Sequence, residues 1–60
     1  MKAKYIKTMD FTFEEVEILD VKTHKELFDK LEEGKYIKVN NYGAIEYINA
    51  NYIMYLELEE

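Results

Sequence analysis

Residues 52–56, Tyr-Ile-Met-Tyr-Leu, are apolar at every position and run into the alternating Glu57-Leu58-Glu59. A strand that is apolar at alternate positions needs one cover, and a strand that is apolar at consecutive positions needs two. In a chain of 60 residues this constrains the fold more than any other feature. A domain of that size buries only about 60% of the surface its unfolded chain exposes, so its core is small. Disulfides, metals and partner subunits are the usual supports for such a core. The chain has no Cys and one His, which excludes disulfides, thiolate metal sites and multi-histidine sites. Oligomerisation remains, and no cofactor or metal is expected.

Local signals divide the single domain, residues 1–60, into six elements. Lys2–Thr8 reads as a short strand. Residues 11–19 fit a strand with a bulge near Glu14–Glu15, which would bring Phe11, Phe13, Val16 and Ile18 to one face. Thr12 with Glu15 also fits a helix capping box, but the β-branched and aromatic content favours the strand. Thr23 with Glu26 makes the stronger capping box, and Gly34 stands where a left-handed residue ends a helix. Between them a helix is expected over about residues 24–33, with Leu27, Phe28 and Leu31 on one stripe and Glu26–Lys30 as an i,i+4 pair. Lys35 is placed to relieve Glu32 and Glu33, which oppose the helix dipole.

Residues 36–40 and 44–49 read as a hairpin around Asn41-Tyr42-Gly43. Asn49-Ala50-Asn51 is either a second tight turn or a bulge, and the turn is preferred. Residues 52–59 form the last strand. The expected fold is α+β: an antiparallel sheet of four or five strands in ββαβββ order, with one helix on one face.

That helix covers about two strands, since it is ~10 Å wide and strands lie ~4.8 Å apart. Strict alternation sends Tyr52, Met54, Leu56 and Leu58 one way and Ile53 and Tyr55 the other. Two outcomes cover the surplus. The sheet curls into a small barrel, or a second copy packs on its open face. The second is favoured, because tyrosine joins a large apolar body to a polar tip and two-fold dimers are the commonest assembly. The expected interface is Tyr47, Tyr52, Ile53, Met54, Tyr55 and Leu56.

Charge is laid out in blocks. Lys2, Lys4 and Lys7 give residues 1–8 a net +3, while Asp10, Glu14, Glu15, Glu17 and Asp20 give residues 9–20 a net −5. Residues 39–60 carry Glu46, Glu57, Glu59 and Glu60 without a lysine. The basic first strand suits an acidic neighbour. A net charge of −5 with no Arg argues against nucleic acid as a direct partner. The longest apolar run is far shorter than the ~20 residues of a membrane span, and no stretch resembles a signal peptide, so a cytoplasmic protein without a membrane partner is expected.

Catalytic groups are scarce. His24 stands in the first turn of the helix, and there is no Ser or Cys nucleophile and no second His for a relay. Glu14, Glu15 and Glu17 are not set in a cleft by any pattern and read as a solvated strand face. Glu15 with Glu17, and Glu57 with Glu59, form rows spaced ~6.8 Å apart, a spacing suited to contact with a partner or to imitation of phosphates.

The stretch Tyr47-Ile-Asn-Ala-Asn-Tyr-Ile-Met-Tyr-Leu-Glu57 resembles the FlbD-type small flagellar proteins, which carry a similar Ile-Asn turn before an Ile-rich strand. The likeness leaves the helix unaccounted for, and no function is carried over from it. The residue usage, rich in Lys, Ile, Tyr and Asn, suits an AT-rich genome such as a low-GC bacterium or its phage. In size, acidity and composition the chain resembles small phage proteins that bind and disable a bacterial host or defence protein. The absent catalytic groups and the surplus apolar surface point to a non-catalytic binding protein that forms a homodimer, and the resemblance implies an inhibitor of a bacterial protein in the host cytoplasm. The alternatives are an acidic nucleic-acid mimic that displaces DNA from a DNA-binding protein, and a small-molecule binder or sink with a pocket at the dimer interface.

Overall fold

The computed structural model describes residues 1–59; Glu60 lies outside the described residues. Strands β1 (Lys2–Thr8) and β2 (Thr12–Ile18) are followed by helix α1 (His24–Glu33). Strands β3 (Tyr36–Asn41) and β4 (Ala44–Asn49), a 3₁₀ turn (Ala50–Tyr52) and β5 (Ile53–Leu58) complete the chain. The strands form one antiparallel sheet in the order β4-β3-β2-β1-β5. The α+β class, the ββαβββ order and the single helix are as the sequence implies.

The strand order explains how the sheet covers itself. β4 and β5 are opposite edges, and a flat five-stranded sheet would hold them ~19 Å apart. Only Ala50–Tyr52 joins them, in a 3₁₀ turn that advances ~2 Å per residue. The sheet therefore curls until its edges approach. Of the two ways to cover the surplus apolar surface, the curl accounts for the inner face.

Bulges set the curl. Ala3 and Ile6 are both fully buried although three residues apart, and across from them Val16 is fully buried and Phe13 nearly so. The alternation slips in both strands at the same level, Ala3 pairing with Val16 and Ile6 with Phe13, so the β1–β2 register is unbroken. Glu15 makes the slip with left-handed backbone, φ 54°. β2 therefore pairs fully with β1 but meets β3 through Glu17–Asn40 and Ile18–Val39 beyond the bend. A left-handed kink at Glu15, and not the expected extra residue, turns Phe13, Val16 and Ile18 inward; the extra residue is Lys4, which bulges against β5 between Ala3–Leu58 and Tyr5–Glu57. Phe11 does not join them: it lies in the turn before β2 and is 56% exposed.

A second bulge corrects the reading of β5. Lys7 pairs with Tyr55 and Thr8 with Ile53, which leaves Met54 as the extra residue. Ile53 and Leu56 therefore point the same way and pack, half-buried, against the core with Leu58. Tyr52 belongs to the 3₁₀ turn and not to the strand.

The helix ends follow local chemistry. Thr23 accepts the Glu26 N–H through Oγ1 at 3.1 Å, and the Glu26 carboxylate accepts the Lys22 N–H at 3.0 Å. That carboxylate is held at the cap, and the i,i+4 ion pair on the helix is Lys25–Asp29 at 3.1 Å, not Glu26–Lys30. Lys35 meets Glu33 at 3.2 Å. Leu27 is fully buried and Leu31 half-buried, whereas Phe28 turns outward beside His24. The core is Ala3, Ile6, Phe13, Val16, Ile18, Val21, Leu27, Ile37, Val39 and Ile48. The β3–β4 loop is two residues, Tyr42 (φ 53°) and Gly43 (φ 97°), the pair of positive angles that matches sheet twist.

Candidate functional site

Thr8 ends β1 and folds the chain back on itself. Its backbone N–H and its hydroxyl both donate to the Phe11 carbonyl, at 2.8 and 3.0 Å, and Thr8 Oγ1 accepts the Phe11 N–H at 3.1 Å. This closed turn fixes Phe11, whose ring meets Phe13 edge-on with centroids 4.7 Å apart. Across from them the 3₁₀ turn is held by two bonds: Asn49 Oδ1 accepts the Asn51 N–H at 2.9 Å, and Ala50 N–H donates to the Lys35 carbonyl at 3.1 Å. Tyr52 projects from that turn.

Between these two devices, where β4 approaches the end of β1, lies an open groove of about 160 Å³. Phe11, Phe13, Tyr47, Ile48 and Tyr52 make its apolar wall, and Thr8 and Asn49 its polar ends. No carboxylate, lysine or histidine lines it. Its volume is about half the ~300 Å³ at which small-molecule pockets begin, and it suits a single inserted side chain. Among the described residues, no group of three or more acids or histidines is placed to hold a metal. No described helix is long and apolar enough to cross a membrane.

The expected interface residues separate. Tyr47 and Tyr52 meet at the groove, and Met54 and Tyr55 are exposed on β5. Ile53 and Leu56 are withdrawn toward the core by the Met54 bulge. Phe11, Phe13, Thr8 and Asn49 were not among the expected site residues. The signal for them is the Thr8–Phe11 spacing ahead of a strand, which places a bulky ring on a turn.

The acids gather around β1, which lies between both acidic strands as its charge suggests. Glu17 accepts from the Met1 ammonium at 2.7 Å, Lys2 lies 3.9 Å from Glu15, and Lys4 lies 3.7 Å from Glu57. The Met1 ammonium holds the Glu17 carboxyl below the usual carboxylate range. Glu15 goes the other way, raised chiefly by its hydrogen bond with Glu59. The Tyr55 hydroxyl donates to Glu57 at 2.8 Å, which raises its own pKa.

These shifts act on stability in opposite senses. Stability from Glu17, whose folded pKa is depressed, is present above its unfolded pKa and lost as pH falls through the folded value. Stability from Glu15, whose folded pKa is raised, is present below its unfolded pKa and lost as pH rises through the folded value. Glu59→Gln removes the largest part of the second effect and leaves the Met1–Glu17 pair in place. The Glu15 carboxyl is expected to titrate lower in that variant, and the loss of stability on going from mildly acid to neutral pH to shrink. A carbon-detected NMR titration of Glu15 checks the first, and an unchanged midpoint would refute the Glu15–Glu59 contact.

Comparison with known protein families, with curated proteins and with solved structures finds no match to this chain.

Proposed function

We propose that this chain is a non-catalytic binding protein that acts by covering a site on another protein. The aromatic groove carries this reading. A small domain with a core of its own leaves Phe11, Tyr47 and Tyr52 exposed around a slot sized for one side chain. Aromatic anchors seated in small pockets dominate protein–protein affinity. All six tyrosines are at the surface, the least exposed being Tyr5 at 36%. Exposed apolar clusters of this kind mark interaction sites. The lack of a carboxylate, lysine or histidine in the groove favours binding over catalysis, and its size favours a protein side chain over a small molecule. Of the four acids expected to imitate phosphates, Glu15, Glu17 and Glu57 are each paired with a positive group of β1 or the chain start, which weakens the case for mimicry.

In its most concrete form the chain is phage-encoded and disables a bacterial host or defence protein in the host cytoplasm. Size, acidity and AT-rich residue usage support that form. The test is a pull-down from a low-GC bacterial lysate with the wild-type chain and with Phe11→Ala/Tyr52→Ala. One protein recovered in stoichiometric amount by the wild type, and reduced at least about tenfold with the variant, is expected if the groove supplies the anchor. Recovery of no stoichiometric protein, or equal recovery by both chains, would overturn the reading.

A further inference from the structure

The two edges of the sheet are treated differently. β5 is blunted: Met54 bulges from it, and Glu57 sits on it, bonded to Tyr55. Bulges and charges are the usual defences of an edge strand. β4 has neither a bulge nor a lysine, and all six of its residues pair regularly with β3. Its one charge, Glu46, accepts from Asn41 Nδ2 at 2.9 Å. Ile45 and Tyr47 are 49% and 64% exposed.

The direction of its backbone groups follows from the hairpin. A two-residue loop makes Asn41 and Ala44 a hydrogen-bonded pair, so the bonded rungs alternate through Val39–Glu46 and Ile37–Ile48. The Ala50 N–H to Lys35 carbonyl bond is the next rung and confirms the phase. The N–H and C=O groups of Ile45, Tyr47 and Asn49 therefore point away from β3, toward the free edge. The open groove adjoins that edge at Tyr47 and Asn49, so no described strand occupies it.

We propose that β4 pairs antiparallel with the β4 of a second copy about a two-fold axis at Tyr47, joining two sheets into one of ten strands. The backbone groups call for an extended strand, and the side chains fit this strand in particular. With Tyr47 on the axis, Tyr47 meets Tyr47, Ile45 meets Asn49, and Glu46 meets Ile48. No like charges stand directly opposite, the arrangement that would oppose pairing. The three outward-facing residues of each chain then exchange their bonds with those of the other. Each chain has one undefended edge, so the assembly closes at two copies and does not grow. Tyr47 and Asn49 also line the groove, so the pairing and the proposed partner site share this edge; the Phe11 and Tyr52 variants leave the β4 backbone untouched, which keeps the two tests separate.

Sedimentation equilibrium of the full chain from micromolar to millimolar concentration is the test. The mass is expected to rise from one chain to two and to stop there. Tyr47→Pro removes an outward N–H without breaking a β3–β4 bond, since proline is tolerated where the N–H faces away from its neighbour. It is expected to weaken dimerisation at least about tenfold while the far-ultraviolet circular dichroism is kept. Tyr47→Lys, which sets two ammonium groups on the axis, gives the same result by charge and decides the matter if the proline variant misfolds. Met54→Lys on the other edge leaves the dimer intact. A single-chain mass at every concentration would overturn the proposal. So would a dimer insensitive to both Tyr47 variants, or growth beyond two copies.

Discussion

Leu27→Ala is expected to leave this domain without a cooperative unfolding transition. Leu27 is the one helix residue that is fully buried, and it joins α1 to a core otherwise made from strands and Val21. Replacing a buried leucine by alanine costs about 2–5 kcal/mol, through lost transfer energy and the cavity left behind. A core of this size rarely supplies more than about 3–5 kcal/mol in total. The loss is thus comparable to the whole stability. Phe28→Ala is the control on the same helix turn. Its ring is 50% exposed, so its loss is expected to stay below about 1 kcal/mol. Urea unfolding followed by far-ultraviolet circular dichroism separates the two. A Leu27→Ala protein that melts within about 1 kcal/mol of wild type would show that the helix is not seated on the core.

The contrast between these neighbours shows where the sequence was legible. The helix limits were visible because the signals are local: Thr23 has extended backbone and caps the Glu26 N–H, and Gly34 takes the left-handed angle. The stripe was less so, since Leu27, Phe28 and Leu31 satisfy helical spacing together, and only the position of the core decides which of the first two faces it. The hairpin was readable from Asn-Tyr-Gly for the same local reason, though its loop is one residue shorter than expected.

The bulges mark the limit. A break in the alternation was visible near Glu14–Glu15, because strict alternation would have split Phe13 from Val16, though it is a kink at Glu15 and not a bulge. Its counterpart between Ala3 and Ile6 was not, since Tyr5 hides the slip by offering an apolar residue at the regular position. The Met54 bulge was hidden by the same cause, in a run where every residue is apolar and every phase looks acceptable. The groove was out of reach for a further reason. It exists because β5 pairs with β1 while its short link to β4 draws the edges together. No local pattern records that long-range pairing. The surplus of apolar side chains was a sound inference, but self-covering by curling changes which of them remain outside: Tyr47, Tyr52 and Tyr55 stay exposed, while Ile53 and Leu56 go in.

Gly34→Ala tests the joint between the helix and the turn that carries Tyr52. Gly34 has φ 69°, where an L residue pays about 1–2 kcal/mol. A Cβ there would also lie 2.9 Å from Asn51 Oδ1 and 3.1 Å from its Nδ2, so the Asn51 amide must move. Gly43 separates the two costs: its φ is 97°, yet a Cβ there meets nothing within 4 Å. Gly43→Ala therefore reports backbone strain alone. Gly34→Ala is expected to cost more in the wild-type chain than in the Asn51→Ala background, a coupling of at least about 0.5 kcal/mol in the double-mutant cycle, whereas Gly43→Ala is expected to show no coupling to Asn51→Ala. Additive losses would mean that the Asn51 amide swings away freely. The Asn51 N–H is bonded to Asn49 Oδ1, and the Ala50 N–H just before it is bonded to Lys35. A displaced amide thus strains the 3₁₀ turn at its centre, and Tyr52 is its last residue. The Tyr52 ring resonances are expected to shift in Gly34→Ala, to return toward wild type in the double variant, and to stay unchanged in Gly43→Ala.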